Sequence, residues 1–202
     1  MKYILSLAAV FLSAAIPTPG QAPSAQTVQC SLKVAQSPAV RGIKLGMKVD
    51  DVLALFPGSR ENEYIKSALT ANPGFPNYGM ISFGIAPFQY PTKERYIGIS
   101  QLSFVFLDGR TVRFYVEYGR PPWPRVDEFI DKISDALQLP PKANWTADNQ
   151  GRKNLICDGF RIRAATQDQR GSLSIETDED PYKIQRERRA AAEEKERREF
   201  KP

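Results

Sequence analysis

Hydrophobic and polar residues alternate most regularly between residues 100 and 119, on either side of Asp108-Gly109. An Asp-Gly pair between two alternating runs is typical of a β-hairpin. A two-residue turn would place Phe104 opposite Arg113, whereas a type I turn with a bulge at Gly109 would place it opposite Val112. We expect the second register, because a shift by one residue moves every side chain of a strand to the other face.

Two further segments have the hydrophobic spacing of short helices. One begins at Val49 and stops before Pro57-Gly58, and the other covers residues 125–138. In each segment, apolar residues recur at every third or fourth position and so share one face. They are Val49, Val52, Leu53 and Phe56 in the first helix, and Val126, Phe129, Ile130, Ile133 and Leu137 in the second.

Strands are predicted near residues 79–85 and in the runs NLICDGFRIRAAT and GSLSIET, while the rest of residues 60–97 has no regular pattern. A helix and about three strands are thus followed by a helix and two or three strands, which indicates the α+β class. We predict a single domain over residues 26–180, in which an antiparallel sheet of five to six strands carries two helices on one face. The order also fits a duplicated helix-plus-meander unit.

Residues 1–25 have the composition of a secretory signal peptide. Lys2 precedes an apolar run from Tyr3 to Ile16, and small and polar residues follow. This run is shorter than the roughly 20 residues that span a bilayer. Cleavage after Ala15 and cleavage between Ala22 and Gln26 both fit the sequence. We predict export, either to the periplasm or to the cell exterior.

A highly charged segment occupies residues 181–202. Asp180-Pro181 is a typical helix start, and Glu193–Arg197 and Glu194–Arg198 have favourable i, i+4 spacing. Because apolar residues are few, we expect a solvated helix. The segment carries much of the net charge of +5, and the body that precedes it is nearly neutral. We therefore expect no nucleic-acid binding, and membrane contact only through residues 183–201.

Cys30 and Cys157 are the two cysteines of the chain. An even number of cysteines in an exported protein indicates a disulfide. Lipid attachment at Cys30 is the alternative, but this residue lies far beyond the apolar run and follows Gln29 rather than a small residue. We favour a Cys30–Cys157 disulfide.

Residue types that common catalytic sites require are missing from the sequence. It has no histidine, which removes Ser-His-Asp and Cys-His nucleophile systems and histidine zinc sites. It has no Gly-x-x-x-x-Gly-Lys-Ser/Thr loop for phosphates, and two cysteines are too few for a four-cysteine zinc site. Paired carboxylates remain for glycan hydrolysis, but they fall on predicted exposed helix faces or in loops. We predict no enzymatic activity, no metal and no cofactor.

The stretch GIKLGMKVDDVLALFPG, residues 42–58, places Gly42 and Gly46 before the first helix. Leu45 and Met47 add bulk where a phosphate-binding loop would need free backbone N–H groups, so we interpret the glycines as a tight corner with Met47 packed beneath. The stretch resembles SmpA/OmlA (BamE-like) envelope modules and β-lactamase-inhibitor-like modules. Wider parts of the chain resemble a family of uncharacterised exported bacterial proteins. The resemblance implies a small α+β unit that binds other proteins, and it supplies no catalytic residue.

Four aromatic residues of the irregular region define a tentative binding loop: Phe75, Tyr78, Phe88 and Tyr90. Long loops often carry function, and packing within the loop or the core is the alternative role for these rings. We expect an exported, non-catalytic module that binds a protein or a cell-envelope component. Two alternatives are binding of an anionic membrane surface or polyanion by the charged tail, and a hydrolase that uses carboxylates alone.

Overall fold

Seven strands form one antiparallel sheet in the computed structural model, which describes residues 30–70 and 76–201. The strands are β1 (Met80–Ile85), β2 (Ile99–Leu107), β3 (Arg110–Tyr118), β4 (Thr146–Ala147), β5 (Lys153–Ile156), β6 (Phe160–Gln167) and β7 (Arg170–Thr177). Their order across the sheet is β1-β2-β3-β7-β6-β5-β4. The predicted signal peptide, residues 1–25, lies outside the described residues.

Four α-helices accompany the sheet in the same described ranges: α1 (Val49–Ala54), α2 (Glu63–Leu69), α3 (Val126–Leu137) and α4 (Pro181–Glu199). These elements confirm the α+β class and the two predicted amphipathic helices. The predicted count of five to six strands was too low, because β4 has two residues and is too short to show alternation. Helix α2 was not predicted, although the side chain of Asn62 caps it by accepting from the N–H groups of Tyr64 and Ile65.

The sheet consists of two meanders joined along β3 and β7. Strands β1, β2 and β3 follow α1 and α2, whereas β4 to β7 follow α3. The central pair runs from Arg113 opposite Glu176 to Tyr118 opposite Gly171. This order is that of two helix-plus-meander units that meet at their last strands, as the duplicated arrangement predicts.

The β2–β3 hairpin corrects the predicted register. Phe104 lies opposite Phe114 rather than Val112. The turn residues Asp108 and Gly109 have φ values of 50° and 75°, as in the two-residue type I′ turn that the sequence analysis rejected. Val112 is instead the extra residue of a bulge within β3. The bulge returns the apolar side chains to one face. The expectation that the apolar residues share a face is therefore met, but the bulge lies within β3 and not at Gly109.

The glycine-rich stretch before α1 forms the expected corner. Gly42 and Gly46 have φ values of 90° and 78°. The Gly46 N–H donates to the Thr111 carbonyl, and the Thr111 N–H donates to the Met47 carbonyl, both at 2.8 Å. Met47 packs against the hydrophobic core. The segment thus runs beside the start of β3 and turns directly into α1, which confirms a structural role for the glycines.

The two faces of the sheet differ in chemistry. The inner face carries the core, where α1 and α3 pack through Val52 and Phe129. One buried row across five strands consists of Phe83, Phe104, Phe114, Ile175 and Ile162. The opposite side, here called the outer face, carries polar and charged residues, including Arg113, Tyr115, Arg161, Arg163 and Glu176.

Cys30 and Cys157 form a buried disulfide with a Cα–Cα distance of 4.6 Å, which confirms the predicted pairing. Beside it, the Asp158 N–H donates to the Leu32 carbonyl at 3.0 Å. The disulfide therefore attaches the segment before α1 to the connection between β5 and β6, in the second meander.

The first half of α4 docks on the outer face, whereas the sequence predicted a solvated helix. The Arg113 guanidinium lies 5.6 Å from the centre of the Tyr182 ring, and the Gln185 side-chain amide donates to the Asn77 carbonyl at 3.1 Å. Beyond Arg188 most side chains are exposed, and acids and bases pair within the helix. The docking contacts are polar, so a search for apolar stripes does not find them.

Candidate functional site

A groove beside helix α3 presents an unusual amount of apolar surface to solvent. It has a volume of about 440 Å³ and is called the α3 groove below. Its apolar lining includes Val40, Ile97, Tyr118, Trp123, Ile133 and Leu137. Ile97 is 68% exposed, which makes it one of the most exposed large apolar residues in the described ranges. Exposed apolar side chains gathered in a concave surface are typical of a binding site.

Ring packing holds the floor of the α3 groove in place. The Phe129 ring, from α3, lies 5.4 Å from both the Tyr118 and the Trp123 ring centres. The Trp123 backbone N–H donates to the Gln169 carbonyl at 2.7 Å, which ties this residue to the β6–β7 turn. The Trp123 indole N–H has no acceptor among the described residues. Ring packing therefore gives the groove a fixed apolar floor, while the indole N–H itself is buried.

Burial also makes one side chain of the groove, the Tyr118 hydroxyl, a weaker acid. It raises the pKa of Tyr118 to about 12, although the nearby Arg41 charge acts in the opposite direction. The Tyr118 hydroxyl therefore stays protonated at neutral pH and is a hydrogen-bonding group rather than a base.

Three cationic side chains border the α3 groove: Arg41, Arg120 and Lys132. None of them lies within 4.0 Å of a carboxylate in the part of the chain that the structure describes. Among the described residues, the lining contains no acidic side chain. The groove thus offers an apolar floor and an uncompensated positive rim, which together suit a ligand with an apolar part and an acidic part.

A second depression, of about 600 Å³, lies over β1 and β2. Its walls include Tyr64 and Tyr182, and its floor includes Ser82, Gly84 and Ser103. The described part of its lining has no charged side chain, and it supplies hydroxyl, amide and ring contacts.

A third depression, of about 230 Å³, lies over β3, β6 and β7. Its lining includes two carboxylates, those of Glu117 and Asp168. Glu117 pairs there with Arg170 at 3.1 Å and accepts from the Ser100 hydroxyl at 3.1 Å. Asp168 is an exposed residue of the β6–β7 turn. Glycan hydrolysis uses a pair of carboxyl groups of which one is sequestered from water, whereas here Glu117 is salt-bridged and Asp168 is exposed.

The three described residues of the tentative binding loop, Tyr78, Phe88 and Tyr90, have different surroundings. Tyr90 is 8% exposed and its ring packs 5.8 Å from that of Phe56, so it belongs to the core. Phe88 is 64% exposed, and Tyr78 uses its carbonyl to accept from Arg188. Phe75 lies outside the described residues.

Within residues 30–70 and 76–201, no cluster of three or more acidic or cysteine side chains is arranged to hold a metal ion. Among the helices described, none has both the length and the hydrophobicity needed to cross a bilayer.

The α3 groove cannot be predicted from the sequence, because its lining comes from four separate parts of the chain. These are residues 39–41, residues 97–98, residues 118–123 and helix α3. Each part contributes one to a few apolar residues, and no local pattern distinguishes them from core residues. A usable signal was the Trp123 ring between prolines, in a loop that the hydrophobic pattern does not explain.

Comparisons with other proteins do not assign the chain to a family. The sequence matches no protein-family model, no curated protein and no solved structure at a significant level.

Proposed function

We propose that this protein is an exported, non-catalytic binding module whose α3 groove receives an acidic, amphipathic segment of a partner protein in the cell envelope. The observation that carries the proposal is the exposed Ile97 in the groove that Trp123 also lines, bordered by three cations that lack acidic partners in the described ranges. The buried Cys30–Cys157 disulfide supports export, because disulfides persist in oxidising compartments.

Charge complementarity selects the occupant. Arg41, Arg120 and Lys132 would repel a basic segment and attract an acidic one, and they would speed its approach. The apolar floor requires at least one large apolar side chain at the contact, and burial of Ile97 against it stabilises the complex by about 2 kcal/mol. A segment of alternating acidic and apolar residues meets both conditions.

Two other functions receive less support from the contacts. Tail-mediated binding to a polyanion requires free basic residues in α4, but Arg189, Lys195 and Arg198 pair with glutamates of the same helix. A carboxylate-dependent hydrolase requires a sequestered acid. Glu176 is the one buried acidic residue in the described ranges, and it pairs with three arginines.

Site-specific crosslinking tests the proposal. A photo-reactive amino acid is introduced at Ile97 in the full chain, and the protein is irradiated in cells that produce it. The matched control carries the same group at Ile156, which is 56% exposed on β5 and does not line the α3 groove. We expect a discrete adduct from position 97 alone, and mass spectrometry then identifies the partner.

Binding of the purified partner completes the test. We expect Ile97→Asp and Lys132→Glu each to weaken binding at least tenfold, whereas Ile156→Asp leaves the affinity unchanged. The first change introduces a charge into an apolar contact, and the second reverses a charge on the rim. The proposal is wrong if positions 97 and 156 give the same adducts, or if the partner binds the Ile97→Asp variant with full affinity.

A further inference from the structure

The outer face holds a cluster in which three arginines share one buried glutamate. Glu176 of β7 lies directly between Arg113 of β3 and Arg161 of β6 in the strand register. The distances to its carboxylate are 2.5 Å from Arg113 Nε, 3.0 Å from Arg161 Nε and 3.2 Å from Arg163 Nη2. The Glu176 side chain is only 4% exposed. The cluster therefore carries two positive charges in excess.

Two of the arginines retain unused donors. Arg163 donates from Nε to the Asn154 side-chain oxygen at 3.2 Å and from Nη2 to Glu176. Arg161 approaches Glu176 through Nε, and its two terminal nitrogens have no acceptor among the described residues. The side chains of Arg161 and Arg163 are 42% and 29% exposed, so water reaches part of each guanidinium.

Arg113 has a separate role, because its guanidinium packs on the Tyr182 ring of α4. This contact occupies the side of the cluster that faces the helix. Arg161 and Arg163 remain on the open side, two residues apart on β6, so their side chains leave the same face about 7 Å apart. Two guanidiniums at this spacing can converge on one small anion.

The surroundings do not neutralise the excess charge. Within 4.0 Å of the three guanidiniums, Glu176 is the one acidic partner in the described ranges. The neighbouring row across the outer face consists of neutral polar residues on either side of Arg163: Asn154, Ser174 and Tyr115. The cluster thus leaves a net positive charge at a fixed place on the sheet, which attracts anions.

We propose that Arg161 and Arg163, held in place by Glu176, bind a phosphate group on the outer face. A phosphate fits because its double negative charge matches the excess, and because its oxygens accept the paired donors of guanidinium groups. A single carboxylate would leave one positive charge unmatched. The site is independent of the α3 groove, since the two share no lining residue.

Titration of the full chain with sodium phosphate, at ionic strength held constant with sodium chloride, tests this site. We expect saturable NMR shifts of the Arg161 and Arg163 Nε–H groups and a rise in the melting temperature. Arg161→Gln with Arg163→Gln should lower the affinity at least tenfold. The matched control is Arg170→Gln, which removes another outer-face arginine that pairs with Glu117 instead.

A second variant keeps the test decisive if the double variant does not fold. Arg161→Gln alone keeps the contacts of Arg113 and Arg163 with Glu176, and it should still weaken phosphate binding because it removes one of the two guanidiniums. Vesicles of phosphatidylcholine with phosphatidic acid, whose headgroup is a phosphomonoester that carries up to two negative charges, distinguish a lipid headgroup from free phosphate as the source of the group. Binding of free phosphate, or vesicle binding that Arg161→Gln abolishes, supports the proposal. The proposal is overturned if neither occurs, or if Arg161→Gln and Arg170→Gln have equal effects.

Discussion

The Arg188 guanidinium binds both carboxylate oxygens of Asp108, with Nη1–Oδ1 and Nη2–Oδ2 distances of 2.7 and 2.8 Å. Asp108 belongs to the β2–β3 turn, and Arg188 lies in the docked half of α4. The same Nη1 donates to the Tyr78 carbonyl at 3.0 Å. One arginine thus joins the C-terminal helix to the hairpin turn and to the segment before β1.

Replacement of Arg188 by alanine should raise the pKa of Asp108. In the intact protein, the hydrogen bonds and charge of Arg188 hold the pKa of the Asp108 carboxyl below its ordinary value of 3.8, and a smaller effect of burial opposes them. The folded state therefore favours the ionised form, so this pair adds stability above pH 3.8 that is lost as the pH falls through the lowered value. A carbon-13 NMR titration of the Asp108 carboxyl measures the change.

The matched control is Arg189→Ala, because Arg189 pairs with Glu193 inside α4 and not with Asp108. We expect it to leave the Asp108 titration unchanged. Both residues of the Asp108 pair are exposed to solvent, so the Arg188 variant should lose little global stability. Hydrogen exchange in the first half of α4 should nevertheless become faster. Equal titration midpoints in the two variants would contradict the prediction.

Removal of the disulfide should destabilise the whole domain. Cys30 and Cys157 are 127 residues apart in sequence, so the bond closes a loop that contains nearly every element except β6, β7 and α4. The chain-entropy model assigns such a loop about 5 kcal/mol. We expect the Cys30→Ser/Cys157→Ser variant to unfold at a much lower urea concentration. A reducing agent should destabilise the native protein similarly and leave the variant unaffected, and coincident unfolding curves would refute this.

The elements that the sequence predicts correctly are those with a strong local pattern. Helices α1 and α3 have apolar residues at helical spacing, and the β2–β3 hairpin has alternation around Asp108-Gly109. The register was wrong because the sequence does not show where a bulge lies. Val112 resembles an ordinary apolar strand residue. It becomes the extra residue of the bulge because Phe104 pairs with Phe114, which in turn pairs with Ile175 of β7.

The candidate sites were not predictable in the same way. The α3 groove needs Ile97 from one loop and Trp123 from another, and the arginine cluster needs β3, β6 and β7 side by side. In sequence, Arg161 and Arg163 are ordinary polar residues of an alternating strand. Their significance arises from Glu176, which the sheet places between arginines from both neighbouring strands.

A methyl group at Gly171 should loosen the contact between α3 and the sheet. A Cβ atom there would lie 2.6 Å from Phe129 Cε2 and 2.7 Å from Cδ2. The Phe129 ring is held between Tyr118 and Trp123 and has little room to move. We expect Gly171→Ala to lower the free energy of unfolding by about 2 kcal/mol, as measured by urea denaturation.

A double-mutant cycle identifies the Phe129 contact as the cause. In the Phe129→Leu background, the smaller side chain should accept the added methyl group, so Gly171→Ala should cost less there. Gly119→Ala, directly after the end of β3, is the control, because its added Cβ would lie 3.2 Å from the Ser100 Cβ rather than against a ring. Equal costs of Gly171→Ala in the two backgrounds would exclude the proposed steric mechanism.

Ionisation of Tyr118 should weaken the fold in alkaline solution. Burial raises its pKa from 10 to about 12, so the folded protein binds the hydroxyl proton more tightly than the unfolded chain does. The resulting stability, about 2–3 kcal/mol, is complete below pH 10 and is lost as the pH rises towards 12. The free energy of unfolding of Tyr118→Phe should therefore fall less between pH 10 and pH 12 than that of the native protein, as measured by urea denaturation. Tyr64→Phe, at an exposed ring, is the control that should retain the decline; if both variants decline as the native protein does, Tyr118 is not the responsible group.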